Sequence, residues 1–447
     1  MRRILGSCAL LFLAGCADDT DLGPAKVRLF TGLETDGWSA PPAVRTVEVV
    51  REDIAGEREE YVTLDVPDDA ETLSFTVSGG TAFFEATGYD DEDEPVLGGR
   101  SFLLYPDGLR GTTVPLFVGR KRRFSRPGEL AGAPGEAPAL GLLGGRFLLT
   151  TAQALSSVVN LHSFDFGLWY ATGTDEFECP TPGECAVRSM AIVNGTIAIL
   201  VADEWATWTD FSTTYSGELT VPSGLDDFAD VAGGATVDTA DLRAYVVGPT
   251  RAEATDAVLR VALDGALSGH ATLTPRAGAA ATWVEERGLV VAGGSAEGAG
   301  VEVLGDEARE FVALPFPADP TTGAALVPID GSIVMRVGGV DAEGEYAPTV
   351  AFDLGCTEDC TPTYHSAPIE LTDVQAFRLE ERILAVGTDA DGLTSGRLLE
   401  ADGVTAIELR QRRSGARALM TYLGSVVVAG GTLETGGAAT SIELFIL

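Results

Sequence analysis

The chain has 447 residues, 45% of them apolar, with 54 glycines and a formal charge of −37. So acidic a surface repels phosphate backbones, which argues against nucleic acid as a partner, and this length exceeds what one domain ordinarily holds. Lys26 and Lys121 are the only lysines, and His162, His270 and His365 the only histidines, so Schiff-base and histidine-centred chemistry have few candidates.

The chain opens MRRILGSCALLFLAGC, with Arg2 and Arg3 ahead of an apolar run from Ile4 to Leu13. About ten apolar residues is the length of a signal-peptide core and too short to cross a bilayer. The closing Leu13-Ala14-Gly15-Cys16 resembles a bacterial lipobox. That resemblance implies residues 1–15 as a signal peptide, cleavage before Cys16 and acylation of Cys16 itself. Cleavage would remove Arg2 and Arg3 and take the charge to −39. Each buried acyl methylene adds about 0.8 kcal/mol, so several chains on one cysteine hold durably to a membrane. Ala17 stands where lipoproteins retained at the inner membrane carry Asp, which implies an outer-membrane lipoprotein facing the periplasm or the cell surface. Residues 16–25 then read as a lipidated tether. No later run approaches eighteen apolar residues, so no second span is expected.

Residues 26–119 carry short alternating segments: KVRLFTGL, RTVEVVRED, EYVTLDVP, TLSFTVSGG, TAFFEATGYD, SFLLYP and TTVPLFVG. Period-two alternation broken by Gly, Pro and Asp predicts antiparallel strands. The plan resembles an immunoglobulin-like or transthyretin-like module of the kind at the base of bacterial surface lipoproteins, which implies a β-sandwich. The Cys–Trp–Cys signature of antibody domains is missing.

Residues 120–447 repeat. Seven segments pair a small-residue apolar strand with a turn and a strongly apolar strand. With Phe147, Ile197, Tyr245, Val290, Met335, Leu384 and Val427 as markers, the steps are 50, 48, 45, 45, 49 and 43 residues. No amphipathic helix separates them, and a period of about 47 fits the four-stranded blades of a propeller. Three repeats end in Gly293-Gly294, Gly338-Gly339 and Gly430-Gly431, and Pro275-Arg276 precedes one of them. Here the chain resembles the kelch family, with departures: Gly248-Pro249 and Gly387-Thr388 keep one glycine, the first two repeats none. The resemblance implies an all-β chain in which a seven-bladed kelch-like propeller follows the sandwich. The last repeat stops after three strands at SIELFIL, so residues near 121–126 are expected to pair with 441–447 as the missing fourth. The basic run Arg120–Arg123 reads as a solvated edge.

Four cysteines remain beyond the lipobox, as Cys179/Cys185 and Cys356/Cys360. Four allow three connectivities. Local disulfides are favoured in an oxidising compartment, and a four-thiolate zinc site is the rival reading. The aromatics Trp205, Trp208, Phe211 and Tyr215 cluster in residues 203–215, read as the loop after a second strand; beside carboxylates they suit a sugar or a protein partner. The turns at Asp90–Glu94, Asp341–Gly344 and Asp389–Gly392 are oxygen-rich, as calcium loops are, but Asp-Gly is also ordinary hairpin chemistry. No catalytic motif is present, and no cofactor or metal is assigned. The reading is a monomeric, membrane-anchored protein that presents its propeller to a protein or glycan; the alternative is a propeller enzyme, galactose-oxidase-like or glycan-active.

Overall fold

The computed structural model describes residues 22–447 apart from 152–157, 179–186, 194–195, 202–203, 210–212, 216–234, 238–242, 250–255, 263–266, 307 and 367. Cys16, Cys179, Cys185 and Phe211 lie outside the described residues. Those that are described contain no α-helix, and none of their helical turns is long and apolar enough to cross a membrane.

The N-terminal strands are β1 (Ala25–Phe30), β2 (Thr46–Asp53), β3 (Arg58–Asp65), β4 (Thr72–Val77), β5 (Ala82–Tyr89), β6 (Pro95–Arg100), β7 (Thr113–Phe117) and β8 (Gly119–Arg120). They form two sheets, ordered β4-β1-β7 and β3-β2-β5-β6-β8. Alternation decides which face is inside: in β1, Ala25, Val27 and Leu29 are buried while Lys26 and Arg28 are exposed. Val27, Leu29, Val47, Val49, Phe75, Phe84, Leu97 and Leu116 meet in one core between the sheets.

One expected strand is absent. Residues 101–106 make a single bridge, Leu104 to Ala82, and then enter a 3-10 turn at Pro106–Leu109. Pro106 has no N–H with which to continue the ladder. The strand that reading missed is β6, which ends immediately before this segment.

After β9 (Arg123–Glu129) the chain builds four-stranded antiparallel sheets in succession. The first holds β10 (Leu140–Leu143), β11 (Phe147–Thr151), β12 (Val158–Asp165) and β13 (Tyr170–Glu178). The second holds β14 (Val187–Val193), β15 (Thr196–Val201), β16 (Glu204–Thr209) and β17 (Thr213–Tyr215). The third holds β18 (Ala235–Val237), β19 (Arg243–Pro249), β20 (Asp256–Ala262) and β21 (Leu267–Ala271). The fourth holds β22 (Ala280–Val284), β23 (Gly288–Ala292), β24 (Val301–Leu304) and β25 (Val312–Leu314). The fifth holds β26 (Ala325–Pro328), β27 (Ile333–Val337), β28 (Thr349–Asp353) and β29 (Thr363–Ser366). The sixth holds β30 (Thr372–Leu379), β31 (Arg382–Thr388), β32 (Thr394–Glu400) and β33 (Gly403–Ile407). A short pair, β34 (Arg413–Ser414) with β37 (Thr432–Leu433), flanks the last sheet, in which β35 (Arg417–Met420), β36 (Val426–Ala429) and β38 (Ser441–Ile446) are completed by β9.

First strands of successive sheets lie against one another, β10 on β14, β14 on β18, and so on through β22, β26, β30 and β35, which returns to β10. A ring of sheets with their first strands innermost is a β-propeller. Each sequence marker falls in the second strand of its own sheet. Where their side chains are described, those strands are mostly buried on both faces, as in β23 and β36, where every residue is buried.

The ring is closed by strands from opposite ends of this region. β38 pairs antiparallel with β9 through Ile446–Arg123, Phe445–Phe124 and Leu444–Ser125, and after a bulge through Ser441–Glu129. Phe124 and Phe445 meet edge to face at 5.6 Å.

The double glycines sit where blades touch. Gly430 and Gly431 have φ of 74° and 91°. A Cβ on Gly430 would lie 2.8 Å from Gly135 O, and one on Gly431 would lie 2.5 Å from Ser414 O. The first glycine therefore admits the next blade and the second admits the blade's own lead-in, and only glycine tolerates both the contacts and the dihedrals. Gly431 N–H also donates to Gly135 O at 2.6 Å, as Gly294 does to Thr321 O and Gly339 to Leu371 O.

Candidate functional site

Charged side chains inside the propeller are spent on its frame. Arg276 and Glu302 are both fully buried, 2.9 Å apart. Arg276 also donates to the carbonyls of Gly293, Ala299 and Gly300, while Glu302 accepts the N–H groups of Leu273 and Thr274. Arg413 and Glu443 repeat the device: the guanidinium reaches Gly430 O, Ser441 O and Glu443, and Glu443 accepts from Arg410 N and Gln411 N. In the fifth sheet the polarity is reversed, with Asp319 on the lead-in and Arg336 on the second strand. Buried charges held this way are structural: their hydrogen bonds go to strand ends, linkers and one another.

The histidines stand on different sheets. His162 on β12 is buried, with Nδ1 2.8 Å from Thr174 Oγ1, and burial pushes its pKa down. His270 on β21 donates from Nδ1 to Arg309 O at 3.1 Å, and His365 on β29 is exposed. They do not form a common site. Among the described residues no group of three or more His, Cys, Asp or Glu is placed to hold a metal ion.

Acidic turns resolve into hairpin chemistry. Asp90 Oδ1 accepts the N–H groups of Glu92 and Glu94, and Asp341 and Asp389 do the same two and four residues on. A fourth copy at Asp53 binds Ala55 N and Glu57 N. The leading carboxylate of each turn is committed to its own backbone.

Cys356 and Cys360 form a disulfide with Cα atoms 5.9 Å apart, between β28 and β29. Cys360 is buried and joins the core of the fourth and fifth sheets rather than standing clear of it. The segment 203–215, expected as a loop, holds β16 and β17, the third and fourth strands of its sheet. Trp205 and Trp208 are on β16, opposite Leu200 and Ile197, and Tyr215 ends β17. Their side chains lie outside the described residues.

Two features were not anticipated. On the open face of the five-stranded sheet, Thr46, Glu48, Glu60, Thr63, Tyr89 and Asp93 line a shallow concavity. Tyr89 Oη donates to Glu48 at 3.1 Å; burial, reinforced by that carboxylate, raises the tyrosine pKa. The other is the join between domains. Glu34 accepts from Arg126 at 3.0 Å and Arg410 at 2.9 Å. Burial favours its neutral form, yet the two guanidiniums outweigh that and hold its carboxyl below the usual range. Leu33 N–H donates to Arg126 O at 2.8 Å, and Phe30 packs on Phe117 and on Trp169 of the first blade. Arg120 is not on a solvated edge: it donates to Ala40 O and Pro42 O, each at 2.6 Å. Arg122 pairs with Glu400.

No protein-family model and no curated protein matches the chain. Among solved structures, an oligogalacturonate lyase in complex with manganese aligns with a TM-score of 0.49 at 11% identity, over 72% of this chain and 93% of its own. A chain of the mitotic checkpoint complex aligns at 0.45 and 11%, over 73% and 95%. TolB from Acinetobacter baumannii aligns at 0.36 and 10%, over 75% and 78%. Likeness at this level says nothing of activity, and the propeller rests on the chain's own ring of sheets.

Proposed function

We propose that this is a lipid-anchored extracytoplasmic binding protein. In this reading Cys16 is acylated, an immunoglobulin-like β-sandwich forms the base, and a seven-bladed kelch-like propeller is presented to a protein or glycan. The observation that supports it is the set of contacts between the N-terminal strands and the propeller: Glu34 bound to Arg126 and Arg410, and Phe30 against Phe117 and Trp169. A domain fastened on one side to the propeller and continuous on the other with the lipobox suits fixed presentation rather than turnover. Trp205, Trp208, Phe211 and Tyr215 remain the candidate contacts.

Cells fed radiolabelled palmitate should label the wild-type chain and not Cys16→Ser. The chain from Ala17, taken to a glycan array and to cross-linking against envelope proteins, should bind without turnover. Trp205→Ala with Trp208→Ala should weaken that binding at unchanged melting temperature. Bound copper or turnover of a glycan would instead favour the enzyme.

A further inference from the structure

The N-terminal domain has two unlike poles. β1 runs from Ala25 to Phe30, which packs against the propeller at Trp169, so Ala25 marks the far pole. Gly111 N–H donates to Gly23 O and Lys26 N–H to Thr112 O, which places the 3-10 turn at that pole. Asp53 pairs with Ala82, and Ala82 with Leu104, which brings the β2–β3 turn to the same place.

Four large apolar or aromatic side chains project there: Leu22 at 60% exposure, Ile54 at 76%, Leu103 at 47% and Tyr105 at 58%. They come from three separate segments, the lead into β1, the β2–β3 turn and the β6–β7 connection that carries both Leu103 and Tyr105, so no one strand's alternation produces the whole cluster. Charge among the described residues there is balanced, with Asp53, Glu57 and Asp107 against Lys26, Arg58 and Arg110, and the acids Asp18, Asp19 and Asp21 belong to the tether that leads to it. Acid gathers instead at the propeller-facing end, in Asp90–Glu94 and in Asp65, Asp68, Asp69 and Glu71, where Arg45 pairs with Asp68 and Asp91.

Position then identifies the occupant. Leu22 stands six residues after Cys16, and six fully extended steps reach about 20 Å. A lipid on Cys16 therefore keeps this pole within that distance of the bilayer. We infer that the far pole rests on the phospholipid surface, with Leu22, Ile54, Leu103 and Tyr105 entering the headgroup region, where aliphatic and amphipathic aromatic side chains are stable. The inference rests on the anchored reading and adds to it an orientation: the domain stands on its neutral apolar pole and holds the propeller and the acidic turns away from the membrane.

The test separates pole from anchor. Ile54→Cys and, as reference, Tyr364→Cys on the propeller (Tyr364 is 70% exposed) are labelled with an environment-sensitive fluorophore, with wild type as labelling blank. The chain from Ala17 is tethered by an N-terminal hexahistidine to phosphatidylethanolamine–phosphatidylglycerol vesicles carrying a nickel-chelating lipid. The label at residue 54 should shift to the blue and brighten several-fold on tethering, and the label at 364 should not change. Equal responses at both positions would overturn the inference. Because the tether is artificial, a wild-type chain that takes up no palmitate would overturn acylation of Cys16 and leave this result standing.

Discussion

At the residue scale, the buried arginines show how far a sequence pattern reaches. Arg276 and Arg413 each stand seventeen residues before the first glycine of a double-glycine pair. That spacing marks them as equivalent, and both guanidiniums take up that glycine's carbonyl. Their partners Glu302 and Glu443 were not legible, since loop length changes the interval and acidic residues are everywhere in this chain. The reversed pair Asp319–Arg336 has no sequence signature at all. The acidic turns carry a sharper lesson. Their third residue after the leading Asp is Gly56, Gly344 or Gly392, with φ from 77° to 83°, but in the Asp90 turn it is Asp93, at φ 61°. Left-handed backbone is strained for residues with a side chain, although Asp tolerates it better than most. Asp93→Gly is therefore expected to stabilise the N-terminal domain by about 0.5–1 kcal/mol. A chemical denaturation curve checks this, and a lower midpoint would contradict it.

At the scale of elements, strands that are buried on both faces were legible and strands at the rim were not. Runs such as those of β23, β31 and β36 need apolar residues on each side, so they stand out at a regular step. The outer strands β25 and β33 are largely exposed, and their sequences read like loops. The same blindness turned β16 and β17 into a loop, because aromatics among polar residues do not alternate cleanly. The closing pair was legible only through the missing strand at the C-terminus. β38 lies between β36 and β9 and brings Glu443 to Arg413. Deleting Ser441–Leu447 leaves Arg413 buried without its carboxylate, a loss of about 3–5 kcal/mol by itself, and opens the ring. The truncated chain should melt far lower and less cooperatively in calorimetry; melting like the full chain would show that closure contributes little.

At the scale of the whole molecule, the contacts joining the domains link residues that nothing local relates: Glu34 and Arg410 are 376 positions apart. Composition and repeat length located the two regions, and neither could show that they are fastened. The fastening has a pH signature. Glu34 keeps its carboxyl ionised below the ordinary range, so its contribution is present above the unfolded pKa near 4.5 and is lost as pH falls through the lowered folded value. Glu34→Gln should therefore lower the melting temperature at pH 7. The gap between variant and wild type should narrow as pH drops below about 4.5 and close once pH has fallen through the lowered folded value, where Glu34 too is neutral. A gap that stays constant across that range would place the stabilisation elsewhere.

The pairing of β9 with β38 also sets an order in time. The chain is synthesised from its N-terminus, so β9 emerges more than three hundred residues before its partner. Domains generally fold as they emerge. Leu33 and Glu34 then grip Arg126 while most of the propeller is still unmade. The first domain becomes a splint for one half of the clasp. Its docking covers an edge that would otherwise wait open to any passing strand, and it holds β9 in position for the final strand to arrive.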